Sequence, residues 1–217
     1  MPANERTKST GRRRSQSRGD IKEAAILACA WDLLATKSVA EITIEELAGG
    51  AGISRPTFYF YFDSRDAVIG ALGEQVAAGL IEIAASSLEK RESPEIAIRR
   101  IAAAYMDRWR REGPVLRAMA PLYESDPDHR AFWDDITSRI TDAVAASIEA
   151  ERARGRALAG PPSAPDLATA LMAMLWRSGY ELSLTPDSKA GDARLVDTLT
   201  AVCIRAIYGQ EPPPVEL

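Results

Sequence analysis

The sequence predicts an all-α protein: an N-terminal three-helix unit of helix-turn-helix kind followed by a larger helical domain, about nine helices in all. Three observations predict it. Apolar residues recur at spacings of three and four from Ile21 to Ile207. The one stretch that reads as a strand, FYFYF at 58–62, is flanked by helix-start signals. Proline and glycine breakers then divide the chain into segments of helical length. With 217 residues, 46% hydrophobic and 27% charged, the chain can bury a sizeable core.

Residues 1–19 lack apolar periodicity and are rich in Arg, Ser, Thr and Gly, so they are expected to form a disordered basic arm. Residues 1–22 hold seven basic and two acidic side chains, a net +5; the whole chain is −4, which leaves −9 for the rest. A basic arm on an acidic body suits a polyanion at one end, although a merely solvated tail would look the same.

The first helix runs to about Lys37. Asp20 is its expected cap, and Ile21, Ala24, Ala25, Ala28 and Trp31 form its apolar face, flanked by Leu27 and Leu34. Thr43 and Glu46 have the spacing of a capping box, and Ile42 with Leu47 that of a hydrophobic staple. The second helix therefore starts after Thr43, and Gly49-Gly50-Ala51-Gly52 stops it. Ser54 caps a third, short helix with Pro56 in its first turn. On a helix Phe58 and Phe62 share the buried face, leaving Thr57, Tyr59 and Tyr61 nearer solvent. Asp63 and Asp66 open a fourth helix at about 64–89. Further helices are expected at 94–111, 114–123, 128–153, 165–183 and 191–208, separated at Ser93-Pro94, Gly113-Pro114, Asp126-Pro127, Gly155 to Pro162, and Pro186.

A capped helix, a glycine turn and a short helix with exposed polar groups suit the DNA major groove. Ser54, Thr57, Tyr59 and Tyr61 supply hydroxyls, and helix-start amides attract phosphate. Arg55 can form a bidentate contact with guanine. Arg65 can hold a phosphate. Between 41 and 66, however, Glu41, Glu45, Glu46, Asp63 and Asp66 outnumber Arg55 and Arg65. The arm, with Arg12, Arg13, Arg14 and Arg18, is therefore expected to supply much of the phosphate neutralisation.

The stretch TIEELAGGAGISRPTFYFYFDSRDAV resembles the N-terminal domain of TetR-family transcriptional regulators. The resemblance is strongest over 21–70. ISRPTFYFYF, the arginine-rich arm and the tryptophan-bearing C-terminal half are similar to the ethionamide-resistance branch of that family. The resemblance implies an arm at 1–19, a DNA-binding domain at 20–65, a ligand-binding and dimerisation domain at 66–210 and a loose tail at 211–217. It also implies a homodimer on a palindromic double-stranded operator. Thr43, Ser54, Arg55, Thr57, Tyr59, Tyr61 and Arg65 stand where the family meets DNA.

Aromatic and methionine side chains concentrate between 101 and 180, as they do around apolar ligands and in ordinary cores alike. With the resemblance, Tyr105, Trp109, Tyr123, Trp133, Thr137, Met172 and Trp176 are the expected lining of a site for a small apolar effector. The branch typically carries asparagines on the second-last long helix. Met172 and Leu175 stand at those places here, which implies a different ligand preference. The helices at 165–183 and 191–208 are broadly apolar, and the resemblance implies a dimer interface there, with Leu167, Leu171, Leu195, Leu199 and Val202.

Enzymatic chemistry has little support. His129 is the sole histidine, in an Asp-Pro-Asp-His stretch read as a loop, and no phosphate-binding glycine loop is present. No cofactor or metal is expected. The apolar runs are short and broken by charge, and the N-terminus lacks a secretory pattern, so a cytoplasmic protein without a membrane span is expected; the resemblance implies association with the nucleoid. Cys29 and Cys203 read as reduced, buried thiols. The rival reading is a helical protein-interaction module with a non-specific basic arm.

Overall fold

The computed structural model describes residues 18–86 and 93–209. It contains eight α-helices and no strand among the described residues. Helix α1 spans Arg18–Leu34, with Asp20 inside its first turn rather than capping it. Its buried face is Ile26, Leu27, Ala30 and Leu34. The face expected from Ile21, Ala24 and Ala28 points to solvent, and Ile21 is 51% exposed. The correction follows from area: burying a branched aliphatic removes far more apolar surface from water than burying alanine.

A 3-10 turn at Val39–Glu41 leads to α2 (Ile44–Gly50). Both halves of the α2 capping box form: Thr43 Oγ1 accepts from the Glu46 amide at 3.2 Å, and Glu46 accepts from the Thr43 amide at 3.0 Å. Ile42 and Leu47 are both buried. At the far end the Ile53 amide donates to Ala48 O and the Gly52 amide to Gly49 O. That pair of bonds is a Schellman motif, and it needs the left-handed Gly52 at φ 62°.

Helix α3 (Arg55–Phe58) is a single turn capped by Ser54. The Tyr61 and Phe62 amides both donate to Phe58 O, so FYFYF coils rather than extends. Phe58 and Phe62 enter the core, as the spacing requires. Helix α4 (Arg65–Ser86) is capped by Ser64, whose Oγ accepts from the Ala67 amide at 3.1 Å, one residue after the expected Asp63.

The helices expected at 94–111 and 114–123 are one, α5 (Pro94–Ser125), and their fusion reduces nine helices to eight. Gly113 is a packing residue: a Cβ there would lie 2.5 Å from Ser183 Cβ. The Gly-Pro pair thus brings α5 close to its neighbour and leaves the helix unbroken. Helix α6 (Pro127–Ala153) starts on Asp126, which accepts from the amides of Asp128 and His129. His129 therefore sits in the first turn of α6, not in a loop. Helices α7 (Ala164–Leu184) and α8 (Lys189–Tyr208) complete the described residues.

Helix α5 is the hub, packed on α4, α6, α7 and α8. Arg110 ties down the α7–α8 corner, donating to Leu182 O at 2.7 Å and pairing with Asp192 at 2.6 Å. One continuous core runs from Ile26 and Phe58 through Val68, Ile69 and Leu72 of α4 to Trp109, Trp133 and Leu199. A second, smaller core joins the end of α6, the start of α7 and the end of α8. Among the described residues no helix is long and apolar enough to cross a membrane.

Candidate nucleic-acid interface

The α2–α3 unit presents Thr43, Ser54, Arg55, Tyr59 and Phe60 to solvent, with Thr57 and Tyr61 half-buried. Ser54 Oγ accepts from the Thr57 amide at 3.2 Å and lies 2.8 Å from Thr57 Oγ1. Thr43 and Ser54 therefore cap helices and remain accessible. Arg55 stands 2.5 Å from Glu45. Its guanidinium is held still more firmly protonated, first by Tyr59 and then by Glu45.

Phe60 is 86% exposed. Composition alone groups it with the buried phenylalanines, yet the spacing carries the opposite signal. Residues 58 and 62 share a face only if residue 60, half-way between them, points the opposite way. An exposed phenylalanine on this surface can meet sugar or a thymine methyl.

The acids that outnumber Arg55 and Arg65 are largely engaged within the protein. Glu41 accepts from the Ser38 amide and hydroxyl. Glu46 accepts from Thr43 and Lys37, and these bonds, Lys37 foremost, hold its carboxyl down to about 2. Arg65 pairs with Asp66 at 2.9 Å and also donates to Ala40 O and Ile42 O. It thus braces the approach to α2 through Nε and Nη1. Lys22, counted with the basic arm, donates to Ala51 O at 3.3 Å and so secures the end of α2. Arg12, Arg13 and Arg14 lie outside the described residues.

The expected effector residues separate. Tyr105 and Trp109 are buried on α5, and Trp176 meets Trp109 edge-on at 4.9 Å. Trp133 is buried apart from them, its indole N–H donating to His129 Nε2 at 3.0 Å. Met172 is half-buried. Tyr123 and Thr137 are surface residues, and Tyr123 donates to Asp134 at 2.7 Å. An open cleft of about 550 Å³ lies at the α7–α8 corner, lined by Arg110, Arg177, Glu181, Asp192 and Arg194; none of the seven expected residues lines it.

The expected interface leucines are also displaced. Leu167 and Leu171 belong to the second core, Leu199 to the main core, and Leu195 is half-buried. Val202, at 40% exposure, is the one that faces solvent. Both cysteines are free; Cys203 is buried and Cys29 half-buried. No group of three potential metal ligands occurs among the described residues.

Residues 26–72 match the family described as bacterial regulatory proteins, tetR family. Residues 98–209 match the C-terminal domain of the transcriptional regulator EthR. The chain belongs to the TetR family of transcriptional regulators. It is 39% identical over 211 residues to the HTH-type transcriptional regulator EthR of Mycolicibacterium smegmatis, covering 93% of both chains. It is 34% identical over 203 residues to EthR of Mycobacterium tuberculosis, covering 92% of this chain and 93% of that one. The fold is shared with the TetR-family regulator PfmR of Thermus thermophilus, at TM-score 0.69 and 20% identity, over 86% of this chain and 98% of that one.

This TetR-family regulator is a DNA-binding protein of transcription, and its family is not one of enzymes. The EthR C-terminal match begins on α5 and runs to the end of α8. Most of the hub helix, with α6, α7 and α8, thus lies within the EthR C-terminal match.

Proposed function

We propose that the protein is a homodimeric repressor that leaves a palindromic operator when a small, uncharged, apolar effector enters the α5–α7 region. The observation that carries this reading is the aromatic cluster of Tyr105, Trp109, Trp176 and Tyr180. Trp109 is fully buried, and its indole N–H has only the Tyr105 hydroxyl beside it, without well-formed hydrogen-bond geometry. A buried donor left in that condition is costly, and a ligand acceptor would relieve it. Trp176, 40% exposed, gives the cluster an edge toward solvent.

Two recognition units about one DNA turn apart require a second copy of the chain. Val202 and the half-buried Leu195, with the exposed side of α7, offer it a face. Leu167, Leu171 and Leu199 would support that face from beneath. The basic arm, with Arg12, Arg13 and Arg14, adds phosphate or minor-groove contacts beside the recognition helix. Operator DNA sets the site of action at the nucleoid, in the cytoplasm.

The test is release. Labelled operator bound to the protein is titrated with a panel of uncharged aliphatic and aromatic compounds while tryptophan emission is followed. The reading predicts that at least one compound perturbs the emission and frees the DNA over the same concentrations. Compounds that perturb the emission without freeing DNA would contradict it.

A further inference from the structure

Residues 108 and 109 are neighbours on the hub helix, one step of about 100° apart around its axis. Arg108 faces α4: its Nη2 donates to Val76 O at 2.7 Å, and its Nε stands 2.5 Å from Glu112 Oε2. The Arg108 and Glu112 side chains are only 12% and 13% exposed. Gly79 makes the seat, because a Cβ there would overlap the guanidinium. Trp109 faces α7, where a Cβ on Gly179 would overlap the indole. One turn on, Glu112 repeats the α4 side and Gly113 the α7 side, against Ser183.

We propose that Arg108 is a positioning residue for regulation: with Glu112 and the Val76 carbonyl it latches α5 to α4, so that displacement of Trp109 is passed to the helix entering the DNA-binding unit. The proposal rests on the effector-released reading above.

Three features support a latch over a simple stabilising contact. Arg108 Nε and Glu112 Oε2 are both buried and face each other at 2.5 Å without well-aligned hydrogen-bond geometry. Buried ion pairs of this kind are often matched or bettered in stability by apolar residues of similar volume, so stability alone does not account for one here. The acceptor is a carbonyl in the middle of a helix, so the bond tracks the α4 backbone rather than a movable side chain. Helix α4 is continuous from Val76 back to Val68 and Ile69, which are packed in the core shared with Leu47 and Phe58. A shift of α5 at Trp109 therefore carries Arg108 with it and pulls on the element that orients α3.

The experiment uses a wedge in place of an effector. Gly179→Ala forces a methyl group against Trp109. Operator affinity is measured for the full chain, for Gly179→Ala, for Arg108→Met/Glu112→Met and for the combination, each checked for helicity and melting. The latch predicts that Gly179→Ala weakens operator binding about tenfold in the natural background and by less than about twofold in the paired background. An equal effect in both backgrounds overturns the proposal, and so does no effect in the natural one. If the paired variant melts below the assay temperature, Gly79→Ala replaces it, since the added methyl pushes the guanidinium off α4. The wedge needs no effector. A failed search for an apolar effector would therefore sink the effector reading while leaving the wedge result to stand or fall by itself.

Discussion

Arg55 and Glu45 face each other across the turn between α2 and α3, guanidinium to carboxylate at 2.5 Å, both side chains more than half exposed. An ion pair so exposed adds little stability. If this surface meets DNA as proposed, the carboxylate would both aim the guanidinium and repel phosphate. Arg55→Ala is expected to cost about 1–3 kcal/mol of operator affinity and to relax preference at one base pair. Glu45→Gln is expected to strengthen binding to all DNA while narrowing the gap between operator and random sequence. Fluorescence anisotropy on both DNAs checks the pair. Unchanged discrimination in Glu45→Gln would show that the carboxylate does not aim Arg55.

Phe58 and Phe60, two residues apart, have opposite fates. Phe58→Ala is expected to cost about 3–5 kcal/mol of stability, since the ring is fully buried. Phe60→Ala should change stability by no more than about 0.5 kcal/mol and yet weaken operator binding. Urea melts and binding titrations on the same two variants separate the roles. A Phe60→Ala protein that binds as well as the natural chain would remove that ring from the interface.

Signals in the sequence are legible where the physics is local. Thr43 with Glu46, the glycines after α2, and Ser54 with Pro56 act within one helical turn, so their spacing suffices to place α2 and α3. Long-range facts are less legible. Gly113-Pro114 looks like a stop, but Gly113 is set by Ser183, which is distant in the chain and lies on another helix. Arg65 looks free in the sequence, but the carbonyls of Ala40 and Ile42 engage its Nη1 from a distant part of the chain. Leu167, Leu171 and Leu199 look like a second apolar stripe and are covered by the chain itself. Tyr123 and Thr137 share an aromatic-rich region of sequence with the tryptophans, yet both face solvent.

The Trp133–His129 bond gives a pH prediction. Burial lowers the His129 pKa below its ordinary 6.5, against the pull of Asp126 and Glu74. The accepted bond from Trp133 also needs Nε2 unprotonated. The unfolded chain therefore takes up the proton first as pH falls. The stability held by neutral His129 is complete above 6.5 and is lost as pH drops below it. His129→Gln keeps an acceptor and removes the titration. Between about pH 7 and about pH 5 the urea midpoint of the natural chain should fall relative to that of His129→Gln. Parallel curves would contradict this account of His129.

Lys22 and Arg65 are engaged within the fold, and the proposed reading assigns the arm the larger share of the positive charge that meets DNA. Deleting residues 1–18 should weaken operator binding and lower the slope of log affinity against log salt by about 0.9 for each phosphate that the arm neutralises. The slope, measured across a salt series with both proteins, is the readout. An unchanged slope would mean that the arm does not touch DNA.

The central claim is sequence-specific DNA reading by the surface of Ser54, Arg55, Tyr59 and Phe60. The most direct test is selection of genomic fragments by the purified full chain at physiological salt, followed by sequencing. The account predicts enrichment of a short palindrome whose half-sites lie about one DNA turn apart, with enrichment lost in Arg55→Ala. Retention of fragments without a shared sequence, or an identical palindrome recovered by Arg55→Ala, would contradict it.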